Sequence, residues 1–343
     1  MMRQTPLIQQ HRASGAKLVD FAGWEMPIQY SGVVDEYHTV RSHIGLFDVS
    51  HMGRVRIAGA GAVSFLQRVT TNDVGKLAVS QAQYSMVCNE NGGIKDDVFV
   101  YRLAPDEFLL CVNASNREKI LSWLRSQLAQ DKTVRLEDRS VEMSQIAVQG
   151  PKSRELLMSL GGAVLEGLKL HHSCEATIGG LSCLLARTGY TGELGYEIYI
   201  DADKVGRLWD LLVDKGQAWG IKPAGLGARD LLRLEMGYLL YGNDMGEDTT
   251  LSRPARTGPS ASKKVNLSAA RHFWRRNRPE SLAGSSPLNL SRRPCLVTDS
   301  ESSTPGPPTS SATSRAAISR HSYRRASGWA MCLCAMRSPA HPS

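Results

Sequence analysis

Apolar residues in the first 250 positions cluster in short runs bounded by Gly, Asn and Asp, which is typical of strands and turns. Two of these runs, 84–88 and 97–101, flank the sequence Asn-Glu-Asn-Gly-Gly at 89–93. Because glycine tolerates positive φ, this sequence is typical of a tight turn between antiparallel strands. The pattern predicts a β-hairpin with two adjacent acids, Asp96 and Asp97, at the head of its second strand.

Longer segments with apolar residues at helical spacing alternate with further apolar runs. Helices are predicted at 35–42, 61–69, 116–129 (with Asn116 as N-cap), 153–160, 205–216 and, after a glycine-rich loop, up to residue 235. Strands are predicted at 45–52 (half-buried), 108–113, 141–148, 181–187 and 196–200. Hairpins mixed with single helices favour an α+β fold over a doubly wound parallel sheet.

The adjacent acids are the first candidate site. Neighbours on a strand point to opposite faces, so one of the two carboxylates should face inward. An inward carboxylate is costly unless it is hydrogen-bonded or faces a ligand. The alternative is that one Asp caps the turn and the other is solvated.

A second glycine-rich stretch, at 189–195, leads into a strand on which Glu197 alternates with apolar residues. Its three glycines allow a sharp turn and a close approach to a ligand. The helix that ends at residue 235 carries Arg229 and Arg233 four residues apart, so the two side chains share one face. The strand end at Asn113 is a third position where sheet proteins place ligand contacts.

Charge is distributed unevenly along the 343 residues. Residues 1–250 hold 26 Lys and Arg against 30 Asp and Glu, whereas residues 251–343 hold 15 against 3. The latter segment also holds 10 of the 15 prolines and 19 serines, a composition typical of disorder or of non-native sequence. It lacks recurring RGG, RS or aromatic-interleaved patterns, so no nucleic-acid partner is expected.

The seven cysteines form an odd number without paired spacing, which favours buried, reduced thiols and no metal site. An 18-residue apolar run, a signal peptide and a transit peptide are all missing from the sequence. A cytoplasmic protein without a membrane partner is therefore expected.

Seven motifs in unbroken order resemble the aminomethyltransferase family, the T-protein of the glycine cleavage system. They are Phe-Ala-Gly-Trp at 21–24, Leu-Phe-Asp-Val-Ser-His-Met at 46–52, Gly-Gly-Ile-Lys-Asp-Asp at 92–97, Gln-Gly-Pro at 149–151, Gly-Tyr-Thr-Gly with Gly-Tyr-Glu at 189–197, Ala-Arg-Asp-Leu-Leu-Arg-Leu-Glu at 228–235 and Tyr-Gly-Asn-Asp at 241–244. The resemblance covers residues 5–250 and implies a folate-binding module of two interleaved lobes.

The resemblance implies transfer of a methylene unit from aminomethyl-lipoyl H-protein to tetrahydrofolate, with release of ammonia. Asp97 matches the essential acid of the family, and Glu197 matches the carboxylate that accepts the two-donor edge of the pterin. Arg229 matches a residue that holds the folate tail or orders the pocket. The matching pocket walls are Asn113, Tyr190, Met52 and Tyr84. Arg54 and Arg56 are expected on the surface, where they either help dock an acidic H-protein or are simply solvated.

The sequence departs from the family after residue 250, where a C-terminal β-barrel is expected. Back-translation of 251–343 in a shifted frame permits motifs of the family barrel. At two positions the shifted codon is fixed, because Trp and Met each have a single codon. Trp329 before Ala330 forces Gly, and Met331 before Cys332 forces Val. We therefore expect the barrel to be absent or scrambled. Residues 251–343 are then a Ser/Arg/Pro-rich tail, either disordered or an out-of-frame remnant of the barrel.

Three other functions compete with the transferase. An inactive truncated T-protein has the same motifs. Non-catalytic folate-binding relatives carry a Lys-Gly-Cys-Tyr motif where this chain has Thr188-Gly-Tyr190, and sarcosine or dimethylglycine dehydrogenases need a flavin domain with a Gly-x-Gly-x-x-Gly fingerprint. This sequence has neither of these two motifs.

Overall fold

The computed structural model describes residues 2–250 apart from 130 and 162. The expectations for 251–343, including the missing barrel and the tail, lie outside the described residues. So do Cys295, Cys332 and Cys334.

Seven α-helices occur within the described part. They are α1 Ile8–Ala13, α2 Val33–Ser42, α3 Ala62–Val69, α4 Arg117–Leu128, α5 Ser153–Ser159, α6 Val205–Gly216 and α7 Leu226–Glu235. Thirteen strands accompany them. These are β1 Lys17–Phe21, β2 Trp24–Gln29, β3 Ile44–Asp48, β4 Gly53–Ala58, β5 Ala82–Cys88, β6 Ile94–Ala104, β7 Glu107–Val112, β8 Arg135–Asp138, β9 Met143–Gln149, β10 Ser173–Ile178, β11 Leu181–Ala186, β12 Gly195–Asp201 and β13 Ile221–Pro223.

Two larger sheets form the body of the described chain. The first sheet has the order β10-β11-β12-β9-β3-β13 and is antiparallel except for the β13–β3 pair. The second sheet has the order β5-β6-β7-β4-β8 and is antiparallel throughout. The chain leaves the first sheet after β3, builds the whole second sheet and returns at β9. This confirms the α+β fold of two interleaved lobes.

Each sheet buries one face against helices. Leu46, Val148 and Ile198 of the first sheet pack with residues of α5 and α6. Val55, Val98 and Leu110 of the second sheet pack with residues of α3 and α4. The opposite faces of the two sheets meet around Tyr101 and Tyr199, which belong to one buried cluster. The two sheets therefore pack on each other through these faces.

The segment predicted as a half-buried strand at 45–52 differs from the expectation. β3 ends at Asp48, and every residue of it is buried. Helices cover both faces of β3, since Leu46 packs in the cluster of α5 and α6 while Phe47 packs in the cluster of α2 and α7. Polar Asp48 tolerates this burial because it accepts hydrogen bonds from Thr5 (2.6 Å) and the Ser50 amide (2.9 Å).

The predicted hairpin at 89–93 is confirmed. The Asn89 side chain closes the turn by accepting hydrogen bonds from the amides of Asn91 (3.0 Å) and Gly93 (2.8 Å), and Gly92 has φ +81°. The segment after α7 returns to this turn, where the Ile94 amide donates to the Thr249 carbonyl at 3.0 Å. The turn that carries the adjacent acids is thus held by the end of the described chain.

Replacing Gly93 by Ala is expected to lower the free energy of unfolding by about 1–3 kcal/mol. A Cβ at Gly93 would overlap the backbone oxygen of Glu247, so the turn and the returning segment would have to separate. Gly167 is the matched control because a Cβ there meets nothing within 4 Å. Urea unfolding of both variants checks the prediction, and equal stability of Gly93→Ala and Gly167→Ala would contradict it.

Candidate active site

The strand β6 divides its side chains between the two sides of the second sheet. Val98 and Val100 face the helices α3 and α4, and Asp96 lies on the same side. Tyr101 faces the first sheet, and alternation places Asp97 on that side of β6 as well. The two adjacent acids therefore lie in different environments, on opposite sides of the second sheet.

Asp96 is fully buried, as the sequence predicted for one of the pair. Its carboxylate accepts from the Asn113 amide (3.0 Å), from Asn113 Nδ2 (2.9 Å) and from Asn116 Nδ2 (2.6 Å). Asn116 precedes α4 as expected, but its side chain does not cap that helix. The Asn116 side chain donates to buried Asp96 instead, because a buried carboxyl oxygen without a donor is costly.

Asp97 accepts from Asn113 Nδ2 at 2.7 Å and from the Tyr84 hydroxyl at 3.0 Å. The side-chain amide of Asn113 therefore donates to both acids. Burial raises the pKa of Asp97, and the hydrogen bonds from Tyr84 and Asn113 oppose that rise. Burial, together with the charge of Asp97, raises the pKa of Asp96 to about 7.

The free energy of unfolding is expected to fall as the pH rises from about 4 to about 7 because of Asp96. A carboxyl whose folded-state pKa is raised stabilises the fold fully below its unfolded pKa, and that contribution is lost as the pH rises through the folded pKa. Asp96→Asn should flatten this dependence, whereas Asp106→Asn in the exposed β6–β7 turn should not. Urea unfolding across this pH range checks the prediction, and parallel curves for all three proteins would contradict it.

Glu197 lies on β12 of the first sheet and points toward the second sheet. Its Oε1 accepts from Gln145 Nε2 at 3.1 Å, and its Oε2 accepts from the hydroxyls of Thr188 (2.5 Å) and Tyr101 (3.3 Å). Tyr101 is on the same strand as Asp97 and on the same face, four residues away. At about 3.4 Å per residue, roughly 14 Å of strand separates the two positions. Asp97 and the partner of Glu197 thus share one surface.

Tyr190 and Arg229 contact each other, and Tyr190 lies close enough to Asp97 to feel its charge. The Arg229 guanidinium carbon lies 4.9 Å from the centre of the Tyr190 ring, and the Tyr190 hydroxyl donates to the Leu239 carbonyl. Burial raises the pKa of Tyr190, with Arg229 lowering it and Asp97 raising it, so both charges act on this ring. Arg229 Nη1 is buried and has no hydrogen-bond partner among the described residues. An unpaired buried guanidinium nitrogen is suited to an anionic ligand.

Met52 and Tyr84 complete the predicted set. Met52 packs against the cluster that contains Tyr101 and also against the cluster that contains Ala228, next to Arg229. Tyr84 bonds Asp97 and remains 39% exposed, so it lies at an edge that solvent reaches. The structure thus links Tyr84 and Asn113 directly to Asp97, and Met52 to the cluster of Tyr101. That all seven predicted residues form one ligand site stays a prediction.

The backbone of the glycine-rich stretch at 189–195 packs closely against another part of the protein, the side chain of Gln149. Gly192 has φ +78° in the turn, as expected. A Cβ at Gly189 or Gly195 would overlap the side chain of Gln149, whose Nε2 donates to the Thr188 carbonyl at 3.2 Å. At these two positions the absence of a side chain makes room for the buried Gln149, while contact of the stretch with a ligand stays a prediction.

Arg54 corrects another expectation. It is only 1% exposed, and its guanidinium donates to the carbonyls of Ser50, Met52, Ser140 and Met143. Buried Arg54 therefore orders the backbone around Met52 and cannot dock a partner. Arg56 is partly exposed and pairs with Glu107 (2.7 Å) and Glu137 (3.0 Å).

The structure also adds residues that the sequence did not single out for the site. Gln145, Thr188 and Tyr101 bond Glu197, and His51 is buried near Arg229. Burial lowers the pKa of His51 to about 3, so its imidazole is neutral at physiological pH. Tyr101 could have been found from its spacing to Asp97, but Gln145 and Thr188 have no local pattern that marks them.

The four described cysteines are free thiols. Cys88, Cys111 and Cys183 are buried and Cys174 is partly buried, which confirms the expectation for these four. Within residues 2–250, no helix combines the length and apolar character that a membrane crossing requires.

Comparisons with known proteins place this geometry in a family. Residues 7–254 match the GCVT N-terminal domain family. An aminomethyltransferase of Desulfitobacterium hafniense is 46% identical over 249 residues, covering 73% of this chain and 68% of that protein. One from Chloroherpeton thalassium is 48% identical over 248 residues, covering 72% and 68%. The crystal structure of glycine cleavage system aminomethyltransferase T from Bartonella henselae is 35% identical, with a TM-score of 0.67 and coverage of 73% of this chain and 67% of that chain.

Fold and relatives together define a transferase enzyme. The chain belongs to the aminomethyltransferase family, the T-protein of the glycine cleavage system, which confirms the family and the activity expected from the motifs. The non-catalytic alternative is not favoured. Aminomethyltransferases of this family use tetrahydrofolate as a substrate.

Proposed function

We propose that the region between the two sheets binds tetrahydrofolate, with the pterin ring directed at Glu197. A pterin presents an N–H beside an amino group, and a carboxylate accepts such a two-donor edge in bidentate fashion. The observation that carries the proposal is the Glu197 carboxylate, which three hydrogen bonds hold. One of them comes from Tyr101, which lies on the same face of β6 as Asp97. The family membership supplies the substrate.

Asp97 is the proposed catalytic acid. Closing the methylene bridge requires N10 of the folate to lose a proton and the departing amine to gain one, and a positioned carboxyl group can serve both transfers. Asn113 and Tyr84 hold the Asp97 carboxylate by direct hydrogen bonds. Because burial raises the pKa of Asp97, the neutral acid is easier to reach there than in water.

Arg229 is the proposed contact for the carboxylates of the folate tail. Its unpaired Nη1 and its position against the Tyr190 ring support this role. Tyr190, Met52, Tyr84 and Asn113 are the proposed walls. Lipoylated H-protein is the proposed partner, because the aminomethyl group must reach Asp97 from outside, and Tyr84, which bonds Asp97, is 39% exposed.

For the domain organisation, we propose a folate-binding module at 1–250 followed by an out-of-frame remnant at 251–343. The family match ends at residue 254, close to the point where the sequence changes composition. The forced Gly and Val in the shifted frame support the remnant. Sequencing the gene across codons 245–255 tests this, and third bases that do not spell barrel motifs would contradict it.

The activity is tested with the full 343-residue chain, tetrahydrofolate and H-protein that carries an aminomethyl-lipoyl group. We expect ammonia and 5,10-methylenetetrahydrofolate in equal amounts, since each transfer yields one of each. Dihydrolipoyl H-protein should accumulate in the same amount as these two products. Ammonia released without methylenetetrahydrofolate, or no binding of tetrahydrofolate, would contradict the proposal.

A further inference from the structure

The hydrogen bonds around Glu197 close into a ring of defined direction. Gln145 Nε2 donates both to Glu197 Oε1 and to the Tyr199 hydroxyl, each at 3.1 Å. The Tyr199 hydroxyl donates to the Tyr101 hydroxyl at 3.0 Å, and Tyr101 donates to Glu197 Oε2 at 3.3 Å. Each hydroxyl has one proton to give and each amide nitrogen has two, so the ring uses every donor once.

An ionised carboxylate fixes this direction because it only accepts hydrogen bonds. The orientation of the Gln145 amide has independent support, since its oxygen accepts from the Cys111 thiol at 3.5 Å. Burial raises the pKa of both Tyr101 and Tyr199, so both hydroxyls keep their protons and remain donors. All three ring side chains are buried, with no more than 1% exposed. Water therefore cannot replace a ring member at low cost.

The number of free acceptor positions on the Glu197 carboxylate limits how a ligand can bind there. A carboxylate offers about four acceptor positions, and Oε2 already takes two donors, Thr188 at 2.5 Å and Tyr101 at 3.3 Å. A bidentate two-donor edge needs one free position on each oxygen. The longer bond, from Tyr101, is the one to yield, and Thr188 Oγ1 lies 3.2 Å from the Tyr101 hydroxyl as an alternative acceptor.

We propose that Gln145, Tyr199 and Tyr101 are positioning residues that aim the Glu197 carboxylate at the two-donor edge of the pterin, and that Tyr101 turns to Thr188 when the ligand binds. This inference rests on the proposed role of Glu197. Tyr199 contacts neither Glu197 nor, on this account, the ligand, so its hydroxyl acts only through the ring.

The test is Tyr199→Phe in the full chain, with binding of tetrahydrofolate and of its 2-desamino analogue measured by calorimetry. We expect about a tenfold weaker binding of tetrahydrofolate, because without the Tyr199 hydroxyl the ring no longer holds the Glu197 carboxylate in its binding orientation before the ligand arrives. Binding of the analogue, which lacks one of the two donors, should stay within about twofold of wild type. The mutation thus reduces the discrimination between the two ligands.

Tyr196→Phe is the matched control. Tyr196 is a fully buried tyrosine on the same strand, but its hydroxyl accepts from Arg154 Nε at 3.0 Å on the other side of the sheet. It should leave both affinities unchanged. Should Tyr199→Phe fold poorly, Gln145→Met opens the same ring at another member, because it removes the amide that donates to Glu197 and to Tyr199. The same selective loss is expected.

Equal weakening of both ligands by Tyr199→Phe, or no weakening of either, overturns the inference. It also fails if Tyr196→Phe has the same effect as Tyr199→Phe. A wrong assignment of Glu197 itself gives a different result. Wild type would then bind tetrahydrofolate and the analogue with equal affinity.

Discussion

Asp97→Asn is expected to lower the kcat for methylenetetrahydrofolate formation by about 10²- to 10⁴-fold. The amide cannot take or give the proton that N10 and the departing amine exchange. It keeps the size of the side chain and can still bond Tyr84, so the affinity for tetrahydrofolate should change by less than about threefold. Steady-state rates and equilibrium binding on the same protein preparation separate the two effects.

Asp106→Asn is the control for this measurement. Asp106 lies in the exposed turn at the far end of β6, so its substitution removes the same charge from the same strand pair without touching the site. It should leave both kcat and affinity unchanged. An Asp97→Asn protein with wild-type kcat, or one that loses affinity and kcat in the same proportion, would contradict a catalytic role for this acid.

Glu197→Gln is expected to weaken tetrahydrofolate binding by about 10²-fold. The amide nitrogen would face the donors of the pterin and also the hydroxyl of Thr188, so donors would meet without an acceptor. The kcat at saturating folate should fall much less, because Asp97 and its hydrogen bonds to Asn113 and Tyr84 remain. The pattern is thus the opposite of that for Asp97→Asn.

Glu175→Gln serves as the matched substitution for Glu197→Gln. Glu175 is an exposed residue on β10 of the same sheet, and its neutralisation should have no effect on folate binding. If Glu197→Gln bound tetrahydrofolate as tightly as Glu175→Gln, the pterin would have to be recognised elsewhere.

The local sequence was sufficient to predict the strands and the turn that carry Asp96 and Asp97. The Asn-Glu-Asn-Gly-Gly turn, the strand after it and the strand end at Asn113 follow from glycine conformation and from apolar runs. The period of two also explains why Asp96 and Asp97 face opposite sides of β6. Helix α6 agrees with its predicted limits because its apolar face is regular and packs on one sheet.

Features that depend on contacts between distant parts of the chain could not be predicted from the sequence. Phe47 on β3 looked half-buried, since nothing in the local pattern shows that α2 and α7 cover its second face. Arg54 looked like a surface base, and only the fold brings the carbonyls of Ser140 and Met143 to it. Gln145 and Glu197 are 52 residues apart, so their hydrogen bond depends on the β9–β12 pairing.

The central claim is that Asp97 and Glu197 act on one folate molecule, and a crystal structure of the full chain with 5-methyltetrahydrofolate tests it most directly. The account predicts that both oxygens of Glu197 lie within about 3.2 Å of the two donors on the pterin edge, with the Asp97 carboxylate next to the N5 and N10 side of the same molecule. A folate bound with its pterin away from Glu197, or with Asp97 separated from N10 by protein, would contradict the account.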